Sequence, residues 1–435
     1  MLAAEEAGRA APAEPAGPWQ PLANRVRSMG TSGVRAMTAA KVLVLGGNFA
    51  GLTAALNVKR LLGEDADVTV VSKSGQFQFN PSFIWIPFAK RAASEVAFPV
   101  ARTFESHGVR FVHGEATRID AATQRVETME GTFGYDFLVI ATGYVNDYGV
   151  IPGLGPDGNA YSITSLDGAV AAAVGWAAFL NDPGPVVVGA TQGAACFGAA
   201  YEFVFNVTYH LRKHRIRVPV TYVSPEPFPG HFGIGGMPGG QSMLGMFFRN
   251  QHINPVFGAG MREIVPGEIR LSDGSTLPFR YAMVVPPFSG AEVVRTSGLG
   301  NPKGFIDVLD TYQTLEYPNV YAVGIAAAVS APWVTSNAVG VPKTGFPAET
   351  MARVAAANIA SQVRGEMPAK EENFGDIPAV CIMDAGNNGV MMLADRMLPP
   401  RKRALMIPGP QSHLAKVAFE KYFLWKTRHG YAALP

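Results

Sequence analysis

The chain is poor in cysteine: Cys196 and Cys381 are the only two among 435 residues. Two thiols exclude a disulfide framework, and they cannot supply a four-thiolate zinc or iron–sulfur site. Net charge is scarce as well, +2 at pH 7, so there is no basic excess for wrapping a nucleic-acid backbone. No stretch reaches the ~20 uninterrupted apolar residues of a membrane-crossing helix; residues 169–180 are too few and 320–334 are broken by Ser330 and Pro332. Residues 1–38, rich in Ala, Gly and Pro, lack the apolar core of a secretory signal. They read as a disordered extension or an over-long gene start, with Met37 as an alternative start. What the chain does have is length and apolar content, 48% hydrophobic against 16% charged, which describes a folded protein of two or three domains. Its even charge is also unevenly spread. From Arg401 onward the chain carries net +6, with Glu420 the lone acid, leaving −4 on residues 1–400. A basic tail on an acidic body suits an anionic surface such as lipid headgroups.

Strand and helix signals alternate after residue 38. An apolar run at 41–45 ends in glycines, helical periodicity follows over 50–62, and a β-branched run occupies 68–71. This is a βαβ unit. A second unit opens at 186–188 and continues through a helix near 199–213 to 218–223, while 137–140, 283–285 and 320–323 read as short buried strands. The fold class expected is α/β with two Rossmann-like dinucleotide-binding domains. The first glycine loop, Gly46-Gly47-Asn48-Phe49-Ala50-Gly51, joins a strand to a helix. There glycines let the backbone approach a pyrophosphate, whose charge meets the unpaired N–H groups of the helix start. Gly46 and Gly51 match the ends of G-x-G-x-x-G, with Asn48 replacing the middle glycine. The ribose-binding acid after the second strand is replaced by Ser72-Lys73, and Ala141-Thr142-Gly143 is the companion turn after strand 137–140.

The second glycine loop differs. It reads Gly189-Ala190-Thr191-Gln192-Gly193-Ala194-Ala195-Cys196-Phe197-Gly198, with a cysteine where the helix begins. A thiol at that position is drawn toward thiolate by the helix dipole and nearby N–H donors. A small buried core cysteine is the competing reading.

Around that cysteine, Gly-Ala-Ala-Cys196-Phe-Gly-Ala-Ala-Tyr-Glu202-Phe resembles the sulfide:quinone oxidoreductases, monotopic FAD enzymes that oxidise sulfide and reduce quinone. Further segments share the likeness: Phe79-Asn80-Pro81-Ser82, the run from Gly340 to Phe346, Ala379-Val380-Cys381, and the run from His413 to Phe423. The resemblance implies that Cys196 and Cys381 form a redox pair on one side of the flavin, with quinone on the other. It leaves open which cysteine faces the flavin. Hydrosulfide attack on a disulfide sulfur would leave a persulfide on one cysteine and a thiolate on the other. A third cysteine of many relatives is matched by Thr164, and a neighbouring histidine by Gly168, so FAD is expected without a covalent link. Glu202 and His231 match polar positions on the sulfide side. Burial by Phe197, Phe203 and Phe205 would raise the Glu202 pKa and make it a usable proton acceptor, while histidine titrates near neutrality unaided.

The resemblance further implies FAD contacts from Gly46, Asn48, Ala50, Gly51, Ser72, Lys73, Asn80, Pro81, Ala141, Thr142, Gly143, Gly324, Ile325, Lys343 and Thr344. Gly324-Ile325 replaces a glycine–aspartate pair, and Lys343 with the helix start near Gly345 would stabilise negative charge on the reduced ring. Quinone would meet Phe346, Ile382 and Tyr422. Over 414–425, Leu414, Val417, Ala418, Tyr422 and Trp425 recur at helical spacing among Lys416, Glu420, Lys421 and Lys426. This predicts an amphipathic, membrane-docking C-terminal helix and a peripheral membrane protein, with Met391, Met392, Met397 and Met406 as apolar neighbours. His210 and His214 have metal-ligand spacing, but Arg212, Lys213 and Arg215 surround them; they read as a solvated face and no metal is expected. The domains expected are a first flavin-binding part at 39–155, a second Rossmann-like domain at 156–285, a second flavin-binding part at 286–368 and a quinone and membrane region at 369–435. Three alternatives stay open: a type II NADH:quinone oxidoreductase, a sulfide dehydrogenase with a cytochrome acceptor, and a non-catalytic flavin or persulfide sensor. An oligomer is compatible with each.

Overall fold

A computed structural model describes residues 39–343 and 345–434; the extension expected at 1–38 and Thr344 lie outside them. The first βαβ unit is β1 (Ala40–Leu45), α1 (Phe49–Leu62) and β2 (Ala66–Ser72), continued by β3 (Arg110–His113) and β4 (Phe137–Ile140). Helix α2 (Leu166–Asn181) then leads to the second unit: β5 (Val186–Ala190), α3 (Phe197–Lys213), β6 (Val220–Ser224), α4 (Gly240–Asn250), β7 (Ile253–Phe257) and β8 (Tyr281–Val285). Strand β9 (Val320–Ala322) and helix α5 (Phe346–Val363) follow, and the chain ends in β10 (Ala379–Asp384), β11 (Gly389–Ala394), β12 (Ala404–Pro408) and α6 (Pro410–Arg428).

The first sheet has the order β9-β4-β1-β2-β3 and is parallel throughout. Its central strand is a continuous apolar run because both faces are covered; Val42, Leu43, Val44 and Leu45 are all buried. The second sheet, β7-β6-β5-β8, is also parallel. Each is served by an antiparallel three-stranded excursion, at 116–134 and at 261–278. Helix α1 packs along α5 through small residues, Ala54 and Ala55 facing the Ala352 to Ala356 stretch.

The third sheet, β10-β11-β12, is antiparallel and sets Cys381 opposite Met392. Helix α6 lies on β10 and β11, and α3 lies against β10. Chain ends of the two parallel sheets and the third sheet therefore converge on the starts of α1, α3 and α5.

Helix α6 is built the opposite way from the expected amphipathic pattern. Lys416, Glu420 and Lys426 are buried, while Leu414, Phe419 and Trp425 are exposed. The reason is ion pairing: Lys416 meets Glu202, Glu420 meets Arg91 and Ser82, and Lys426 meets Glu349. Of the four methionines, Met392, Met397 and Met406 are core residues and Met391 is half-buried. His210 is likewise not solvated. It is stacked on Phe88 at 4.6 Å, and burial lowers its pKa to about 4. His214 is exposed as expected.

The turn into α1 leaves no room for side chains. A Cβ at Gly51 would lie 1.9 Å from the Gly46 carbonyl oxygen, and one at Gly46, where φ is +104°, would lie 2.3 Å from the Ala141 oxygen. Gly51→Ala is expected to destabilise the fold by about 3 kcal/mol, the upper end of overpacking costs, and to lower flavin content. Thermal unfolding and the flavin-to-protein absorbance ratio check this.

Candidate active site

Three convergent ends make the site. The first is the start of α1, which is bare of caps. Asn48 occupies the N-cap position, but its side chain makes no capping bond and the first turn holds no acid. Its amide is instead pinned to β-type backbone, donating to the Gln78 oxygen at 3.3 Å and accepting from Gln78 N–H at 3.4 Å. The orphan N–H groups of the first turn are therefore available to an anion. Gly46 abuts Ala141, Gly47 faces Ser72, and Gly324 (φ +65°) would bring a Cβ to 2.9 Å from Ala50, so the expected cofactor residues Gly46, Ala50, Gly51, Ser72, Ala141 and Gly324 do crowd one groove. Two buried polar atoms beside it, Thr142 Oγ1 and Asn80 Oδ1, have no protein partner. An uncapped helix start, a glycine-lined approach and unpartnered polar atoms fit the diphosphate and ribityl groups of a dinucleotide.

The expected set does not all assemble there. Lys73 is exposed and pairs outward with Glu115 at 2.9 Å. Pro81 starts a 3₁₀ turn, Asn80–Trp85, whose role is to present Asn80; Asn80 Nδ2 donates to Tyr144 Oη at 3.4 Å. Gly143 takes φ +71° so that the chain turns away after β4.

The second end is Lys343. It is buried, donates to the Ile325 and Ala327 carbonyls at 2.9 and 2.5 Å, and lies over the Phe305 ring at 4.3 Å. No acid pairs with it among the described residues, and burial lowers its pKa to about 7. A buried ammonium held by carbonyls alone is costly, so a nearby anion would stabilise it. Phe346 opens α5 right after, half-buried.

The third end holds the thiols. Cys196 is the N-cap of α3 and makes no side-chain capping bond; Cys381 sits on β10. Both are half-buried free thiols. The expected drift of Cys196 toward thiolate is overturned for this state: burial pushes its pKa up to about 11 and outweighs the Ala199 N–H and Lys416. Cys381 is raised to about 12, by burial first and then by Glu202 and Cys196, so the two thiols, 185 positions apart in sequence, act on each other electrostatically.

Glu202 lies one and a half turns into α3. It is buried, and burial lifts its pKa to about 7 even though Lys416 Nζ is hydrogen-bonded to it. The rise expected for Glu202 from its burial is present, and the sequence missed Lys416, its partner from α6. Behind them Asp384, fully buried, accepts from Trp85 Nε1 at 2.8 Å, contacts His413 Nδ1 at 2.5 Å and pairs with Lys90 at 3.5 Å. Burial raises its pKa, but Lys90, Trp85, Lys416 and His413 together win and hold it at about 2. Ile382 and Tyr422, on the same two elements, are half-buried.

Thr164 forms a small hydroxyl cluster: its Oγ1 donates to Asn146 Oδ1 at 2.8 Å and lies 2.9 Å from Ser162 Oγ, while Tyr144 Oη donates to its carbonyl. Gly168 sits in the first turn of α2, its N–H bonded to Ser165 Oγ at 3.1 Å. A Cβ there would lie 2.4 Å from the Ser162 oxygen, so this backbone does not accept a histidine at 168. His231 is buried on a glycine-rich loop, edge-on to Trp333 at 4.9 Å, and burial lowers its pKa.

Residues 40–341 match the family model of the pyridine nucleotide-disulphide oxidoreductases. The chain is 33% identical to the sulfide-quinone reductase of Aquifex aeolicus over 89% of this chain and 91% of that protein. It is 26% identical to the mitochondrial sulfide:quinone oxidoreductase of Mus musculus over 65% of each. The X-ray structure of the Aquifex aeolicus sulfide:quinone oxidoreductase superposes with a TM-score of 0.86 at 34% identity, covering 90% of this chain and 92% of that one. The fold is that of an α/β pyridine nucleotide-disulphide oxidoreductase, and the chain belongs to its sulfide:quinone oxidoreductase family.

Proposed function

We propose that this chain is an FAD-dependent sulfide:quinone oxidoreductase in which Cys196 and Cys381 form the sulfide-oxidising pair. The observation that carries this is the meeting of both cysteines with one buried carboxylate–lysine pair, Glu202 and Lys416, at the start of α3. In the oxidised pair, hydrosulfide attacks one sulfur of the Cys196–Cys381 disulfide. The S–S bond breaks, a new S–S bond makes a persulfide, and the other cysteine leaves as a thiolate. The proton of hydrosulfide passes to Glu202, whose carboxylate with a pKa of about 7 is matched to that task. Lys416 compensates the thiolate charge, since a bare thiolate in this buried setting is strongly disfavoured. FAD, when bound, would supply the two-electron acceptor: as the thiolate sulfur bonds to the outer sulfur of the persulfide and the persulfide proton leaves, the electron pair would pass to the flavin and from there to quinone.

The cofactor would be held by the α1 start, with Gly46, Gly51, Thr142, Asn80 and Gly324 around it and Lys343 countering negative charge on the ring. This assigns 39–155 and 286–368 to flavin binding and 156–285 to thiol chemistry. Phe346, Ile382 and Tyr422 are the quinone contacts in this reading. A nicotinamide substrate is disfavoured by the residue at the α3 start: Cys196 brings a side chain to the N-cap, where the glycine fingerprint of a nicotinamide site lets the backbone approach the pyrophosphate.

The reading extends to a membrane surface. No helix among the described residues is long and apolar enough to cross a membrane. Helix α6 turns Leu414, Phe419 and Trp425 outward, flanked by the exposed Lys402, Arg403, Lys421 and Arg428. Leu414 and Trp425, about 20° apart around the helix, share that face with Lys421, and apolar anchors mixed with cations are the pattern of an interfacial helix.

Cys196→Ser and Cys381→Ser are each expected to keep FAD and to slow flavin reduction by sulfide at least about a hundredfold. An anaerobic sulfide titration should show a thiolate-to-flavin charge-transfer band in the wild type and none in the variant lacking the flavin-facing thiol. Full turnover in either variant would refute the pair. Glu202 accepts a proton only when ionised, so flavin reduction, referred to hydrosulfide concentration, should rise with pH through about 7. Glu202→Gln should remove that rise.

Deleting α6 would also take Lys416 from Glu202, so surface substitutions test docking more sharply. A Leu414→Glu, Trp425→Glu protein should partition onto anionic vesicles about tenfold or more weakly while its reduction by sulfide is unchanged. Undiminished sedimentation with vesicles would sink the docking face.

A further inference from the structure

We propose that Glu226 is a positioning residue that clamps the loop carrying His231 against the thiol site; this rests on the sulfide reading above. Glu226 lies two residues beyond β6, the second strand of the second βαβ unit. In a nucleotide-binding unit an acid at that strand end reaches out to ribose hydroxyls. Here the carboxylate is turned inward and has no exposed surface. Its Oε2 accepts from Ser224 Oγ at 2.8 Å, Tyr201 Oη at 3.0 Å and Tyr222 Oη at 3.4 Å, and its Oε1 accepts from Phe232 N–H at 2.6 Å.

The titratable groups facing it are Tyr201 from α3 and Tyr222 from β6, and no Lys, Arg or His pairs with it among the described residues. Burial raises its pKa to about 7, with the Ser224, Phe232 N–H, Tyr201 and Tyr222 contacts opposing. A buried carboxylate without a cation is a liability to the fold. The loop is what the liability serves.

Between residues 230 and 236, Gly230, Phe232, Gly233, Gly235 and Gly236 all have φ between 55° and 82°. Phe232 is the strained member, since a residue with a side chain is disfavoured in the left-handed region. Its N–H is held by Glu226 and its ring stands edge-on to Tyr201 at 5.0 Å. Tyr201 Oη also accepts from Gly230 N–H at 2.8 Å, bridging the loop entry to the same carboxylate. From the other side Arg401 donates to the Ile234 and Gly236 carbonyls, each at 2.7 Å.

His231 sits between these clamps. Its carbonyl accepts from Ile234 and Gly236 N–H at 3.0 Å, and its Nδ1 accepts from Gly233 N–H at 3.3 Å, which leaves the proton of the neutral ring on Nε2. The loop is in turn connected to the cysteine turn through Gly340. A Cβ at Gly233 would lie 2.0 Å from the Gly340 oxygen, and Gly340 N–H donates to Ala194, two residues before Cys196, at 2.9 Å. An acid that serves nucleotides elsewhere thus fixes a histidine loop that reaches the cysteine turn through Gly340.

The test uses the full-length FAD-loaded protein with Glu226→Ala and Glu226→Gln, read by hydrogen exchange and by the two half-reactions. Glu226→Ala should lose amide protection over 228–237 and slow flavin reduction by sulfide by about tenfold to a hundredfold, as small misplacements do. Reoxidation of the dithionite-reduced protein by quinone should stay at the wild-type rate. Glu226→Gln keeps an acceptor for Phe232 N–H and should restore loop protection and most of the sulfide rate. Wild-type protection and rate in Glu226→Ala would overturn the proposal, as would equal slowing of both half-reactions in the Ala and Gln proteins. Should Glu226→Ala fail to fold, Tyr201→Phe, which removes the bridging hydroxyl, carries the same expectations. If the wild type is not reduced by sulfide, the sulfide reading fails, while hydrogen exchange still decides whether Glu226 clamps the loop.

Discussion

The ion pair between Lys416 and Glu202 is the contact on which the rest of this structure turns. It joins the last helix of the chain to the helix that begins at Cys196, inside a region from which water is largely excluded. Removing one member of a buried pair costs about 3–5 kcal/mol, because the other charge is left unpaired. Two further pairs repeat the device along α6, Glu420 with Arg91 and Lys426 with Glu349. The C-terminal helix is therefore fastened by charge to three separate parts of the body: α3, the turn before residue 93, and α5. Sheet β10-β11-β12, on which α6 packs, is held to the body along with it, and Cys381 is on its first strand.

The same fastening explains the outside of α6. With Lys416, Glu420 and Lys426 turned inward beside Phe423 and Leu424, the outer face is left to Leu414, Phe419 and Trp425 together with Lys421 and Arg428. In a helix packed on a protein core the reverse order is normal. The inversion is thus one arrangement with two consequences. Buried charge adds smaller, opposing contributions to thiols that desolvation governs, and apolar side chains are left on the outer surface. Of the basic excess in the tail, Lys416 and Lys426 are consumed internally, so the outward cations are fewer than the sequence count suggests.

Much of the fold was legible because its signals are local. The runs at 41–45 and 186–188 are parallel strands, the glycines after them do open helices, and Cys196 does stand at a helix start. The raised pKa of Glu202 was legible too, since its apolar sequence neighbours signal a buried stretch of helix and Glu202 is buried with them. What failed depended on partners far along the chain. Lys416 looked like a lipid-facing cation because nothing near position 416 announces Glu202, and His210 looked solvated because Phe88 is more than a hundred positions away. Cys196 was expected to ionise from its place on the helix; desolvation, a tertiary effect, is the larger force. Glu226 escaped notice altogether. A carboxylate two residues past a strand carries no sign of whether it points out to a ribose or in to a loop.

That last ambiguity bears on how one fold hosts different redox chemistry. The second βαβ unit retains the strands, the helix and even the outer glycines of a nucleotide site, and the backbone from Gly189 to Gly198 still turns from strand to helix. Two local changes alter what the unit can bind. A thiol occupies the helix start, and the acid at the end of β6 closes on Tyr201, Ser224 and Phe232 rather than remaining open to a ligand. Neither change disturbs the sheet register or the packing of α3, both of which are set by the buried faces of β5, β6 and β8. Specificity here follows from where two polar side chains are directed on an unchanged scaffold, and the stability of that scaffold is what permits a buried, cation-free carboxylate such as Glu226 to be tolerated.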